Sequence, residues 1–129
     1  MDPQAKHGLR RAAERRGQDA EDQAEAALVA RGWTVLERRL RASRGSGAGE
    51  LDMVAARDGL LAFIEVKARP SLSAAAHAVS RNQQARLMAA AEAWLAAHPG
   101  HGAAGVRFDV ILVAPEGMRR IKDAFRAWD

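Results

Sequence analysis

Apolar and polar positions along the chain divide it into alternating helical and extended segments. The first sixteen residues are polar and carry no clear apolar stripe, which predicts a mobile arm or a frayed helix start ahead of a single domain over 17–129. From about Gly17 to Arg31, Ala20, Ala24, Ala27 and Leu28 recur at helical spacing, and Gly32 suits the position just past a helix end. "WTVLERRLR" (33–41) reads as a first strand, "ASRGSGAG" (42–49) as a flexible loop, and 50–57 and 60–68 as two further strands stopped by Pro70. Ser80 to His98 predicts a second long helix. Val79, Leu87, Ala91, Trp94 and Leu95 form its apolar face, Ser80 and Gln83 match a capping box, and "HPG" closes it. "VRFDVILVA" (106–114) is nearly continuous in apolar residues, as a strand buried on both faces should be. "MRRIKDAFRAW" (118–128) is expected to hold a last strand turn and then a short helix. The order argues for an α/β/α sandwich with a central mixed sheet.

The hairpin carries the chemistry. With Asp58 and Gly59 as the central residues of a tight turn, outward counting pairs 57 with 60, 55 with 62, 53 with 64 and 52 with 65. Asp52 then opposes Glu65, with Cβ atoms about 4.5–5.5 Å apart. Two carboxylates at that separation repel unless a proton or a cation lies between them. Glu50, Asp52, Glu65 and Lys67 share one face with Val54, Leu61 and Phe63, while Leu51, Met53, Ile64 and Val66 cover the other. A divalent cation held by the carboxylates, with water and a substrate phosphate completing its shell, describes a magnesium or manganese site. Lys67 would then position the attacking water or neutralise the charged phosphoryl oxygens. The competing reading is a surface hairpin with a Glu50–Lys67 ion pair and a solvated Asp52–Glu65 pair.

Composition narrows the setting. The chain has 129 residues, 48% of them apolar, which suits one packed core. It has no cysteine, which removes disulfides and thiolate metal sites and fits a reducing compartment. No run approaches the roughly 20 apolar residues of a membrane span, and the N-terminus has no signal-like core, so a cytoplasmic protein without a membrane partner is expected. The formal net charge is +4, and seventeen of the twenty cations are arginine, concentrated at 9–17 and 37–45. Guanidinium groups match phosphate oxygens in pairs, so each cluster is either a polyanion contact or a solvated face. The two histidines of "HPGH" have no further ligand beside them and read as a helix stop. "RGSGAGE" lacks the lysine and hydroxyl of a phosphate-cradling loop.

Asp52, twelve intervening residues and Glu65-Val66-Lys67 resemble the D…ExK core of restriction-endonuclease-like nucleases, here without the proline that often precedes the aspartate. A longer pattern, "GQDAEDQA" (17–24), "LVARGW" (28–33), "GELDMVA" (49–55), "FIEVKAR" (63–69), "RFDVILV" (107–113) and "IKDAF" (121–125), is similar to the YraN-like family of uncharacterised bacterial proteins, related in architecture to archaeal Holliday junction resolvases. The resemblance implies Asp52 and Glu65 as metal ligands and Lys67 as the catalytic lysine. It adds Glu21 as a further ligand on the first helix, and Gly17, Glu21, Ala24 and Leu28 do fall on one helical stripe. Compensation of the helix dipole is the other reading of Glu21. Where the family usually has a lysine early in the second long helix, this chain has Gln83.

The expectation is a metal-dependent endonuclease for DNA, including branched or structured DNA, with Mg2+ or Mn2+ as cofactor. Arg38, Arg39, Arg41, Arg44, Arg69 and Gln83 are its candidate nucleic-acid contacts. The resolvase relatives extend the expectation to a homodimer. The alternative is a binding module of the same fold without catalysis, or a protein-interaction role with a vestigial acidic site.

Overall fold

The structure, a computed structural model, describes residues 3–40, 51–73 and 79–125, leaving aside the side chains of 3–14, 16, 40, 123 and 125. In chain order the elements are α1 (Pro3–Ala30), β1 (Thr34–Leu40), β2 (Leu51–Arg57), β3 (Leu60–Ala68), α2 (Arg81–Ala97), β4 (Gly105–Ala114) and β5 (Gly117–Phe125). The five strands form one sheet in the order β1-β2-β3-β4-β5. Every neighbouring pair is antiparallel except β3 and β4, which run parallel because α2 carries the chain back between them.

Local chemistry sets each boundary. Asp58 and Gly59 take φ of 52° and 79°, the doubly left-handed turn that matches strand twist, and β2 pairs with β3 from Arg57↔Leu60 to Met53↔Ile64 as the outward count requires. Helix α1 ends in a Schellman motif: Trp33 N–H reaches Leu28 O at 3.0 Å, Gly32 N–H reaches Val29 O at 3.0 Å, and Gly32 has φ 88°. Trp33 and Leu28 then pack in the same core, the apolar contact that accompanies this cap. Ser80 caps α2 by accepting the Gln83 N–H at 3.2 Å, and His98 closes the helix.

Each face of the sheet carries one helix. Ala20, Ala24 and Leu28 of α1 lie with Trp33 on Met53, Ala55, Ala62, Ile64, Val66, Ile111 and Val113. Leu87, Ala90, Ala91 and Trp94 of α2 pack on Leu51, Val54, Leu61, Phe63 and Phe108. Phe63 centres that second core, edge-on to Trp94 at 5.9 Å and tilted against Phe108 at 5.7 Å. Trp94 also donates to Glu37 Oε1 at 2.9 Å and stacks on His98 at 4.1 Å. Among the described residues no helix is long and apolar enough to cross a membrane.

Three elements differ from the sequence reading. Helix α1 begins at Pro3, so the polar segment before Gly17 is continuous with it. Leu51 packs on the α2 side, not with Met53, because alternation breaks where β2 leaves β3. The segment after Gly117 is a strand throughout the described range and holds no helix up to Phe125. Ala114 pairs with Gly117 across a two-residue turn, and β5 completes the open edge of the long, buried β4, which outweighs the helical preference of "IKDAF".

In the middle of β4, where it pairs with Ile64, Asp109 is 1% exposed and clamped by Arg107 (3.0 and 2.9 Å) and Arg120 (3.1 and 2.6 Å). The guanidinium carbons of Arg57, Arg107 and Arg120 lie 4.8, 5.5 and 4.9 Å from the Trp33 ring centroid.

Gly17 of α1 and Gly32 of its cap should respond oppositely to alanine. Gly17 has a helical backbone and nothing within 4 Å of an added Cβ, so Gly17→Ala is expected to stabilise by about 0.5–1 kcal/mol. Gly32 also has room, its nearest neighbour being Arg57 Cδ at 3.8 Å, but its φ of +88° penalises any Cβ, so Gly32→Ala should destabilise by about 1 kcal/mol. Urea midpoints of the two variants check the signs.

Candidate nuclease-like site

The β2–β3 ladder ends at Met53↔Ile64, and the next N–H along β3 on that edge, Val66, is taken by a side chain. Asp52 Oδ2 accepts it at 2.7 Å. The carboxylate thus stands where a strand carbonyl would otherwise pair, which fixes its position against β3 and buries most of it. Burial raises the Asp52 pKa from 3.8 to about 7, with the Glu65 charge adding to the rise, the Val66 N–H opposing it, and Glu21 contributing further repulsion. A hydrogen bond shared with Glu65 also favours the protonated form. The repulsion foreseen from the hairpin count is therefore present, and around neutral pH a proton relieves it.

Glu65 is 8% exposed in the middle of β3. Its Oε1 receives Lys67 Nζ at 3.0 Å and, at 3.4 Å, Gln83 Nε2 from the first turn of α2. Gln83 therefore completes only half of the capping box: its backbone N–H meets Ser80, while its side chain crosses to the acidic site. Lys67 is paired with Glu65, two residues away on the same strand face. Glu50, its other candidate partner, lies outside the described residues.

Glu21 reaches the site from the α1 side, and its charge is felt at Asp52. Its Oε2 is held by Arg39 Nε at 2.8 Å and Arg38 Nη2 at 3.2 Å. Arg38 also pairs with Asp22 and Glu25, both at 2.8 Å, and these bonds outweigh its burial and raise its pKa. Arg39 has a left-handed φ of 55°, unusual within a strand, and the Glu21 contact is what its side chain gains there. The two arginines are thus engaged with α1, Arg38 the more fully, with its side chain 25% exposed against 48% for Arg39. Arg41 and Arg44 lie outside the described residues. Arg69 donates to Ala68 O at 2.9 Å just past β3.

The structure brings Asp52, Glu65, Lys67 and Gln83 together and sets Glu21 within electrostatic reach. Among the described residues no three acidic or histidine side chains converge into a ready-made metal cage. The donor set still fits a hard cation: Asp52 and Glu65 are adjacent carboxylates, and burial and the Glu65 charge raise the proton affinity of Asp52, which a cation would satisfy with water and phosphate oxygens as its remaining ligands. The Val66 N–H is a backbone group with no side-chain signal in the sequence, and Gln83, expected both as a cap residue and as a nucleic-acid contact, holds Glu65 with its amide.

This sheet, with one parallel pair joined through a helix, a helix on each face and an acidic hairpin end, agrees with the core of restriction-endonuclease-like proteins. A family model for uncharacterised protein family UPF0102 matches residues 20–113. A UPF0102 protein of Granulibacter bethesdensis is 56% identical over 115 residues, covering 88% of this chain and 70% of the relative. Others from Bradyrhizobium sp. (strain ORS 278) and Nitrobacter winogradskyi are each 49% identical, over 90% and 92% of this chain and 80% and 98% of their own lengths. The chain belongs to UPF0102, the YraN-like family of the restriction-endonuclease-like superfamily.

The raised Asp52 pKa has a signed consequence for stability. Between about pH 4 and 7 the folded state holds a proton that the unfolded chain has lost, so stability falls as pH rises through that window and levels off above it. Asp52→Asn keeps an acceptor for Val66 and cannot ionise. In metal-free buffer it is expected to be more stable than the wild type at pH 8 by about 1–3 kcal/mol, with the gap closing toward pH 4. Denaturant midpoints across pH measure this, and a less stable variant at pH 8 would mean that the carboxylate is not under repulsion.

Proposed function

We propose that the protein is a metal-dependent phosphodiesterase acting on nucleic acid, with DNA, including branched or structured DNA, as substrate. The observation that carries this reading is the Asp52–Glu65 pair with the Lys67 ammonium 3.0 Å from Glu65 Oε1. Asp52 and Glu65 would hold Mg2+ or Mn2+, with Glu21 approaching from α1. Such a cation supplies positive charge to a phosphoryl oxygen and acidity to bound water. The chain's own groups account for the rest. The Val66 N–H keeps Asp52 in place and Gln83 restrains Glu65. Lys67 stands where it can orient a water or balance the charge that grows on phosphate in the transition state. Burial strengthens each of these interactions. The arginine-rich composition and the absence of cysteine suit a polyanion partner in a reducing, cytoplasmic setting. A homodimer belongs to the same proposal, with sedimentation as its check.

Gln83 favours a second reading. It is neutral at a place where the family usually offers a lysine, so the same pocket would hold nucleic acid without cutting it.

Cleavage separates the two. With manganese, the purified protein is expected to cut at least one of single-stranded, duplex, flapped and four-way-junction DNA. Lys67→Ala should lower the rate by about 10²–10³ while leaving affinity nearly intact, since the group acts mainly on the transition state. Asp52→Ala should abolish cleavage. Metal should raise the melting temperature of the wild type but not of Asp52→Asn, because only a ligand that selects the folded state stabilises it. Binding without cleavage on every substrate favours the second reading, and undiminished cleavage by Asp52→Ala would remove this site from the mechanism.

A further inference from the structure

A cleft of about 630 Å3 opens on the α1 side of the sheet, beside the carboxyl ends of the parallel strands β3 and β4. It lies at the same end of the sheet as Asp52 and Glu65, and Ala68 in its lining directly follows Lys67. Ala20, Ala68, Val113 and Ala114 give it an apolar lining of small side chains. Pro70 and Pro115 wall it, and both walls are pinned: Arg69 N–H reaches Val113 O at 2.9 Å, and Leu72 N–H reaches Glu116 Oε1 at 2.7 Å. Three polar side chains border it, Asp19 and Gln23 one helical turn apart on α1, and Arg69 opposite. Among the described residues the side chains of Asp19 and Gln23 have no hydrogen-bond partner, and Arg69 spends one donor on Ala68 O. Asp19 and Gln23 have no part in the site above, and Arg69 is among the expected nucleic-acid contacts.

We propose that this cleft holds one unpaired nucleotide next to the phosphate being cleaved, with guanine as its preferred base. The inference rests on the nucleic-acid reading of the acidic site and names a determinant of which substrate that site accepts. The volume falls within the usual range of about 300–1,000 Å3 for small-molecule sites. An apolar lining of small side chains suits the face of a base. A carboxylate accepts two parallel N–H groups, which guanine presents on its pairing edge through N1–H and the 2-amino group. Thymine has one such N–H, flanked by two carbonyls that repel the acid. The Gln23 amide can donate to the guanine O6, and the remaining Arg69 donors suit the phosphate. A base can enter only when it is out of its duplex, so the cleft favours single-stranded, flapped or branched substrates over continuous duplex.

The test uses the intact protein without metal and the mononucleotides themselves, so that it does not depend on cleavage. 2′-Deoxyguanosine 5′-monophosphate is expected to shift the backbone amide resonances of Gln23, Ala68 and Arg69. It should bind at least about tenfold more tightly than thymidine 5′-monophosphate. Asp19→Asn should erase that preference, Gln23→Trp should fill the mouth and weaken both nucleotides about tenfold, and Arg69→Ala should weaken both without changing their ratio. Melting temperatures near wild type confirm that each variant is folded. Equal affinity for the two nucleotides, the same shifts with inorganic phosphate alone, or shifts confined to α2 would overturn the proposal. Nucleotide binding here in a protein that cuts nothing leaves the cleft standing and defeats only the nuclease reading. Cleavage without nucleotide binding does the reverse.

Discussion

The place where β2 parts from β3 governs the acidic end of the molecule. Had the ladder continued past Met53↔Ile64, a backbone carbonyl would answer the Val66 N–H and Asp52 would be one more side chain on a regular strand. Instead its carboxylate makes that hydrogen bond at 2.7 Å and is drawn into the protein against Glu65. A buried N–H must find an acceptor, and here the acceptor is an acid. The same departure sends Leu51 toward α2, where it packs with Val54 and Trp94. One local irregularity thus positions a carboxylate, perturbs its proton affinity and closes a corner of the core.

Charge is distributed unevenly between the two faces of the sheet. On the α2 face, at the open end of the hairpin, Lys67 and Gln83 only partly compensate Glu65. On the α1 face, Arg107 and Arg120 share the buried Asp109 in the middle of β4, with Arg57 close by over Trp33. The polarity is built by strand alternation, since Arg107 and Asp109 point to one face of β4 while Phe108 and Val110 fill the other. A small net charge of +4 therefore conceals a strongly biased molecule.

Much of this was legible in the sequence because local signals agreed with the fold. Asp-Gly at 58–59 set the hairpin register, Ser80 marked the start of α2, and the apolar run from Phe108 to Val113 announced a buried central strand. Meeting of Asp52 with Glu65 followed from counting alone. What stayed hidden depended on partners far away in the chain. "IKDAF" has no strand-specific pattern, and only the free edge of β4 makes it a strand. Arg38 looked available for phosphate because the acids that engage it, Glu21, Asp22 and Glu25, belong to another element. Gln83 was expected as a cap beside Ser80 and as a nucleic-acid contact, but its bond to Glu65, eighteen positions earlier, has no local signal.

The parallel pairing of β3 with β4 has a kinetic side. Each paired residue lies 45 positions from its partner, as in Leu60 with Gly105 and Ala68 with Val113. The β2–β3 hairpin closes over two residues, whereas this contact must first bring back a long excursion and its helix, an entropic cost that slows folding. Gln83 stands eighteen positions from Glu65, and α2 packs on Leu51, Val54, Leu61 and Phe63 of the hairpin, so the acidic pair and the amide that restrains it close shorter loops than the β3–β4 pairing does.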